Sequence, residues 1–319
     1  MKPPSKPEDR PHVATVLVTG ATSGIGRATA LRFAALGHRV IAAARRDGAL
    51  GELVREAAGL PGAVHAVRLD LTCATSLEAA RREVDVLTDG AGVDVLVNNA
   101  GFGVVGPLLE IGDADLRRQF ETNVFGLMAL TRALVPAMVR RRSGRVVNVS
   151  SIGGRVTFPF MGAYNATKYA LESLSDALRN ELAPFGIRVV LVEPGPIRTE
   201  FNEVAMRSLA SVQSDASPYA AAYARAAEMD ARTRRMGAAP GVVVRAIERA
   251  ALGRRPRARY VVPFSSAVLL AVLRVLPTRL VDAVMRRLAG LGTGARAQPG
   301  AGRSAPAPLS TSGSAPELA

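Results

Sequence analysis

The sequence predicts an α/β fold: a doubly wound parallel sheet in a three-layer α/β/α arrangement, one domain with a C-terminal helical substrate-lid extension. Three observations carry this. Short apolar runs rich in β-branched residues recur at 13–19, 39–44, 64–69, 93–97, 145–149 and 187–192, as strands buried on both faces require. Helix-length segments separate them, the alternation that builds parallel sheets. A glycine-rich turn, Gly20-Ala-Thr-Ser-Gly24-Ile-Gly26, joins the first run to the first helical pattern.

Taken in order, residues 13–45 read as one β-α-β unit. The helix at 27–36 stops at Gly37, and the second strand ends at Ala44-Arg45-Arg46. The longest helical patterns are 113–142 and 164–183. Residues 201–239 are irregular and rich in alanine, methionine and arginine, and read as a substrate lid. Residues 258–262 read as the last strand, closing a main domain at 13–262. An amphipathic helical extension follows at 263–290, strongly apolar with spaced arginines. The proline-rich leader 1–12 and the low-complexity tail 291–319 are expected to be disordered. There is no internal repeat.

Composition narrows the function. One cysteine, Cys73, excludes a disulfide framework and a cysteine-rich metal site. His12, His38 and His65 are scattered, which argues against a histidine zinc site or a Ser-His-Asp triad. The leader lacks an apolar core, so a cytoplasmic setting is expected. The net charge of +14 is uneven: thirteen arginines face four acids between Glu228 and Gly290. That third lacks interleaved aromatics and the usual motifs of nucleic-acid binding, so no nucleic-acid partner is expected.

Of 41 basic residues only Lys2, Lys6 and Lys168 are lysine, and Lys168 alone lies in the body of the chain. It follows Tyr164 by four residues, which puts both on one helix face. Two readings fit that pair by itself: a surface i,i+4 contact, or an ammonium placed to lower a phenol's pKa. The glycine turn also has two readings, a tight turn or an anion site where exposed N–H groups and a helix N-terminus converge. Its spacing is G-x3-G-x-G. No acid stands at the end of the second strand to hold a ribose, and arginine there suits a 2′-phosphate.

Thr19-Gly20-x3-Gly24-Ile25-Gly26, Asn98-Asn99-Ala100-Gly101, Asn123, Ser151, Tyr164-x3-Lys168 and Pro194-Gly195 resemble, in order and spacing, the short-chain dehydrogenase/reductase family. The resemblance spans about residues 13–200 and is closest to the steroid/retinol dehydrogenase-like branch. It implies a Rossmann-type fold and an oxidoreductase that interconverts a lipophilic alcohol and its ketone or aldehyde, with NADP(H) preferred over NAD(H). Carried over residue by residue, it makes Tyr164 the general acid/base. Lys168 would hold the nicotinamide ribose and keep Tyr164 acidic, Ser151 would bond the reacting oxygen, and Asn123 would hold a relay water. The implied cofactor contacts are Gly20, Thr22, Ser23, Gly24, Ile25, Gly26, Arg45, Asp70, Leu71, Asn98, Ala100, Gly101, Tyr164, Lys168, Pro194, Ile197 and Thr199. Asp70 would meet the adenine amino group and Asn98 would lie near the adenosine ribose. No metal is implied.

The resemblance places substrate walls at 102–107, at 153–163 with Phe158, Phe160 and Met161, and at Phe201, Met206, Tyr219, Tyr223, Met229 and Met236. Arg155 is the only charge in the first two stretches, which favours a hydrophobic substrate. The resemblance also implies a homodimer or homotetramer. Residues 264–290 are too short and broken to span a bilayer. They fit either a helix lying at the inner membrane surface or one packed over the pocket or another subunit. A different class, a cofactor-binding sensor or scaffold without turnover, would lack a member of the Ser-Tyr-Lys set, and here the set is complete.

Overall fold

Period-two alternation within each strand divides the core into two halves. A computed structural model describes residues 13–201 and 237–291, with isolated positions and short runs, the longest 217–220, between 202 and 236. The sheet has seven strands: β1 (Thr15–Thr19), β2 (Arg39–Ala44), β3 (Ala63–Arg68), β4 (Val95–Asn98), β5 (Gly144–Val149), β6 (Ile187–Pro194) and β7 (Arg259–Val262). The order is β3-β2-β1-β4-β5-β6-β7 and every pairing is parallel. Val16 and Val18 face one side, where Phe33 of α1 (Gly24–Ala35), Leu50 of α2 (Asp47–Glu56) and Ile247 of α7 (Gly241–Leu252) complete one core. Leu17 faces the other, with Val84 of α3 (Ala74–Leu87) and Leu130, Leu134 and Met138 of α5 (Leu127–Arg141). Helices on both faces of a parallel sheet are the doubly wound architecture that the apolar runs predict.

The long helical pattern at 113–142 is α4 (Asp113–Phe120) and α5 joined through a π-helical turn, Glu121–Gly126. A Cβ on Gly126 would stand 2.2 Å from the Leu71 carbonyl oxygen, so glycine lets this helix close on the loop after β3. Helix α6 (Gly162–Leu182) carries the Tyr-Lys pair. After β7 the expected single extension is two helices, α8 (Phe264–Val275) and α9 (Thr278–Leu288). Pro277 separates them, because proline cannot continue the hydrogen-bond ladder of α8. A Cβ on Gly195 would lie 1.9 Å from Ser266 Oγ, so α8 begins against the loop that follows β6. The leader, the tail after Leu291, and Met229 and Met236 of the expected lid lie outside the described residues.

Candidate active site

Strand order reverses between β1 and β4, which opens a crevice at the C-terminal ends of the strands. Gly20 and Gly24 sit there at φ +64° and +50°, a region that favours glycine. Gly26 is required for space, since its Cβ would fall 2.2 Å from the Gly20 carbonyl oxygen. Ser23, the N-cap of α1, makes no side-chain capping bond, and the first amides of the helix meet the loop. Thr22, Ser23 and Ile25 are half-buried on that turn. This cradle of glycine and unspent amides fits a dinucleotide phosphate. Thr199 closes it from across the crevice, its Cβ 3.4 Å from where a Gly24 Cβ would stand.

The loop is held by a pair that sequence reasoning did not assign. Thr19 Oγ1 accepts from the amides of Asn99 and Ala100, each at 3.0 Å, and Asn99 Nδ2 donates to the Thr19 carbonyl at 2.9 Å. Asn98 is almost fully buried. Its side-chain nitrogen donates to Asn148 Oδ1 at 2.9 Å and to Thr131 Oγ1 at 3.1 Å, inside the core. Its Oδ1 is buried without a hydrogen-bond partner. Asn148 in turn donates to Ser175 Oγ at 2.8 Å, so a polar ladder runs under the sheet from α5 to α6.

At the other end of the crevice Arg45 and Arg46 are exposed at the end of β2. Strand register sets Arg68 beside Ala44, adding a third arginine. Asp70 Oδ1 accepts from the Thr72 amide at 2.9 Å and hydroxyl at 2.7 Å, which holds the carboxyl below its usual range, and Arg45 and Arg68 act in the same direction. Leu71 is buried behind it.

Tyr164 and Lys168 are both buried on α6. Burial pushes the Tyr164 phenol up to about 12, and a hydrogen bond with Ser151 pulls the other way. Burial pushes Lys168 down to about 8, opposed by the Glu172 carboxylate one turn along. Nζ donates to the Val149 carbonyl at 2.9 Å and lies 5.7 Å from the Tyr164 ring centroid. Lys168 thus bonds the backbone beside the phenol, and burial is the larger influence on the tyrosine. Ser151 Oγ accepts from the Gly153 amide at 3.0 Å and leads the short turn Ile152–Gly154.

Asn123 stands in the π turn. Its Oδ1 accepts from the Phe102 amide at 3.1 Å, and its Nδ2 donates to the Phe102 carbonyl at 2.9 Å and Thr167 Oγ1 at 3.1 Å. Both Nδ2 donors are spent on fixing these segments, and Oδ1 keeps one acceptor site. Gly101 lies beside it: a Cβ there would be 3.1 Å from Asn123 Oδ1 and 3.8 Å from Lys168 Nζ.

The strand end beyond Val192 was also missed. Glu193 is fully buried between Pro194 and the core, with Arg155 Nη1 at 3.3 Å and Arg259 Nε at 3.1 Å. Arg259 Nε also meets Glu172 Oε2 at 3.1 Å. A carboxylate inside an apolar run was the available signal. Burial, then the neighbouring Glu172 charge, push Glu193 up to about 7 against the two arginines.

Aromatic residues cover the reacting end. The Phe201 ring lies 5.3 Å from that of Tyr164, and Phe160 meets Tyr219 edge-on at 6.1 Å. Glu110 accepts hydrogen bonds from Ser217 and Tyr223, which ties the lid to the body. A cavity of about 810 Å³ lies between the 155–159 loop, Tyr169 and helices α8 and α9. Tyr164 and Ser151 are not among its lining residues.

The family model described as short chain dehydrogenase matches residues 14–209. An uncharacterized oxidoreductase, YbbO of Escherichia coli, is 37% identical over 272 residues, covering 85% of this chain and 94% of its own length. An NADPH-dependent 3-dehydrocapnine reductase of Ornithobacterium rhinotracheale is 32% identical, covering 84% and 94%. The crystal structure of a short-chain dehydrogenase from Streptomyces avermitilis superposes with TM-score 0.70 at 35% identity, over 89% of this chain and 99% of that one.

Proposed function

The chain belongs to the short-chain dehydrogenase family and is an NAD(P)-binding alcohol/carbonyl oxidoreductase; from that premise we propose that it uses NADP(H) in preference to NAD(H) to interconvert a lipophilic alcohol and its ketone or aldehyde. A single observation carries the mechanism: Ser151, Tyr164 and Lys168 converge beside the glycine cradle, each held by named partners.

In the reducing direction Tyr164 gives its phenolic proton to the carbonyl oxygen. Ser151, already bonded to that phenol, donates to the same oxygen and fixes it. Lys168, anchored on the Val149 carbonyl, would hold the nicotinamide ribose of the bound cofactor. Asn123 braces this assembly through Phe102 and Thr167 and would hold the water that relays a proton to Lys168. A bound nicotinamide supplies or accepts the hydride. Phe201 and Phe160 exclude water and favour an apolar substrate.

Support for NADP(H) comes from Arg45, Arg46 and Arg68 at the ribose end, and from the reductase relative whose name specifies NADPH. The reading includes a homodimer or homotetramer in the cytoplasm, with peripheral contact at the inner membrane surface through residues 264–290. The direct test is NADPH oxidation with a panel of lipophilic ketones, run beside Tyr164→Phe. Turnover that survives this substitution overturns the mechanism.

A further inference from the structure

Helices α8 and α9 have apolar side chains on both their inner and their outer faces. The inner set is accounted for: Leu270, Leu273, Val281 and Met285 line the cavity of about 810 Å³ opposite Val156 and Pro159. The outer set is not. On α8, Phe264, Val268 and Val272 recur every fourth residue and are 81%, 46% and 48% exposed. On α9, Leu280, Val284 and Leu288 repeat that spacing at 49%, 43% and 55%. The first ten residues of α8 carry no charge at all. Of seventeen exposed large apolar side chains among the described residues, eight lie in these two helices, so the patch is not ordinary surface scatter.

What covers it follows from charge and composition. Residues 1–12 and 292–319 contain Met1, Leu309 and Leu318 as their only large apolar residues, too few to cap two helices. Of the charges on the two helices, Arg274, Asp282 and Arg286 line the inner cavity, which leaves Arg279 and Arg287 away from it, both exposed, so a second copy on this face would meet cations without an acid to pair them. A bilayer with anionic headgroups offers the opposite sign above an apolar interior. Helices of 12 and 11 residues are too short to cross it but suited to lie in its plane.

We infer that the outer face of α8 and α9 docks this enzyme on an anionic lipid surface. The inference sharpens the peripheral contact proposed above and does not rest on the catalytic reading. The experiment is sedimentation of the full chain with phosphatidylcholine vesicles, with and without phosphatidylglycerol, for the wild type and for Val272→Glu/Val284→Glu. Circular dichroism checks that the variant is folded, and Val272→Ser/Val284→Ser replaces it if it is not. Wild type is expected to bind only vesicles containing phosphatidylglycerol, to be released at about 1 M salt, and to lose binding about tenfold or more in the variant. Absence of wild-type binding to anionic vesicles overturns the inference. So does a substitution that dissociates an oligomer while vesicle binding stays unchanged, which would give this face to a second copy. Both readouts are independent of turnover, so a failed ketone screen leaves the result standing.

Discussion

Lys168 Nζ donates to the Val149 carbonyl at 2.9 Å and stands 5.7 Å from the centroid of the Tyr164 ring. The last residue of β5 thus fixes the cation that α6 delivers beside the tyrosine. Lysine suits the place because a single buried ammonium meets the single Val149 carbonyl that receives it. An arginine fork would bring five donors to a buried position where one carbonyl receives the lysine. Tyr164→Phe and Lys168→Arg are each expected to lower kcat/KM by about 10²- to 10⁴-fold, with melting temperatures near wild type for the first. Initial rates with the best ketone of the panel decide this, and a Lys168→Arg enzyme near wild-type rate removes the argument from the single acceptor.

Direction of reaction sets the pH dependence. The phenol, held up to about 12 by burial, stays protonated through neutrality and can serve as a donor. Lys168, held down to about 8 by burial, loses its charge as pH rises through that value. The reduction rate should therefore fall above pH about 8. Glu172 is the carboxylate that raises Lys168, and it is itself faced by Arg259 and Arg155 with Glu193 nearby. Removing that negative charge in Glu172→Gln lets Lys168 deprotonate sooner, so the descending limb should move to lower pH. A limb that stays in place in the variant's profile separates Glu172 from the lysine.

Much of this was readable because buried parallel strands are continuous apolar runs, and β2 matches its expected bounds of 39–44. The places where reading stopped have physical reasons. Glu193 looks like the end of a strand, yet β6 continues through it to Pro194 because two arginines from distant segments receive it. Adjacent Asn98 and Asn99 point to opposite sides at a strand end, and sequence alone does not say which faces the core. The π turn has no residue signature. It is stabilised by contacts of Asn123 with the Phe102 backbone, across 21 residues of chain. Arg68 joins Arg45 only through strand register.

Arg45→Ala tests the cofactor preference. With Arg45, Arg46 and Arg68 grouped at the end of β2 and Asp47 turned to Arg68 at 3.8 Å, loss of the Arg45 guanidinium should raise the KM for NADPH about tenfold, as one charge-assisted contact is worth about 1.5 kcal/mol or more. The KM for NADH should change little. Equal use of both cofactors by the wild type, or equal effects of Arg45→Ala on both, counts against the preference.

Asn99→Ala tests the loop tether. The substitution leaves the Thr19 carbonyl without the Asn99 Nδ2 donor that meets it at 2.9 Å. The loss should cost about 1–3 kcal/mol locally and appear as weaker cofactor binding with a smaller effect on the rate at saturation. Fluorescence titration with NADPH measures it. Unchanged affinity would mean that Gly20, Gly24 and Gly26 hold their conformation without the tether.

Glu193 gives a prediction for stability. Its carboxyl is raised to about 7 by burial and by the Glu172 charge, with Arg155 and Arg259 opposing. Between the ordinary carboxylate range and about 7, the folded protein keeps a proton that the unfolded chain has released. The folded state binds more protons there, so this group's contribution to stability falls as pH rises through that interval. In Glu193→Gln the contribution disappears: the variant should melt lower relative to wild type at about pH 5 and gain on it by about pH 8. Arg259→Met acts in the opposite sense. It leaves Glu193 and Glu172 without the guanidinium that both share at 3.1 Å, a loss expected to cost about 3–5 kcal/mol near neutral pH and less in acid, where the carboxyls are protonated. Thermal melts of the three proteins across that range measure both effects, and parallel curves for wild type and Glu193→Gln would show that the proton on Glu193 plays no part.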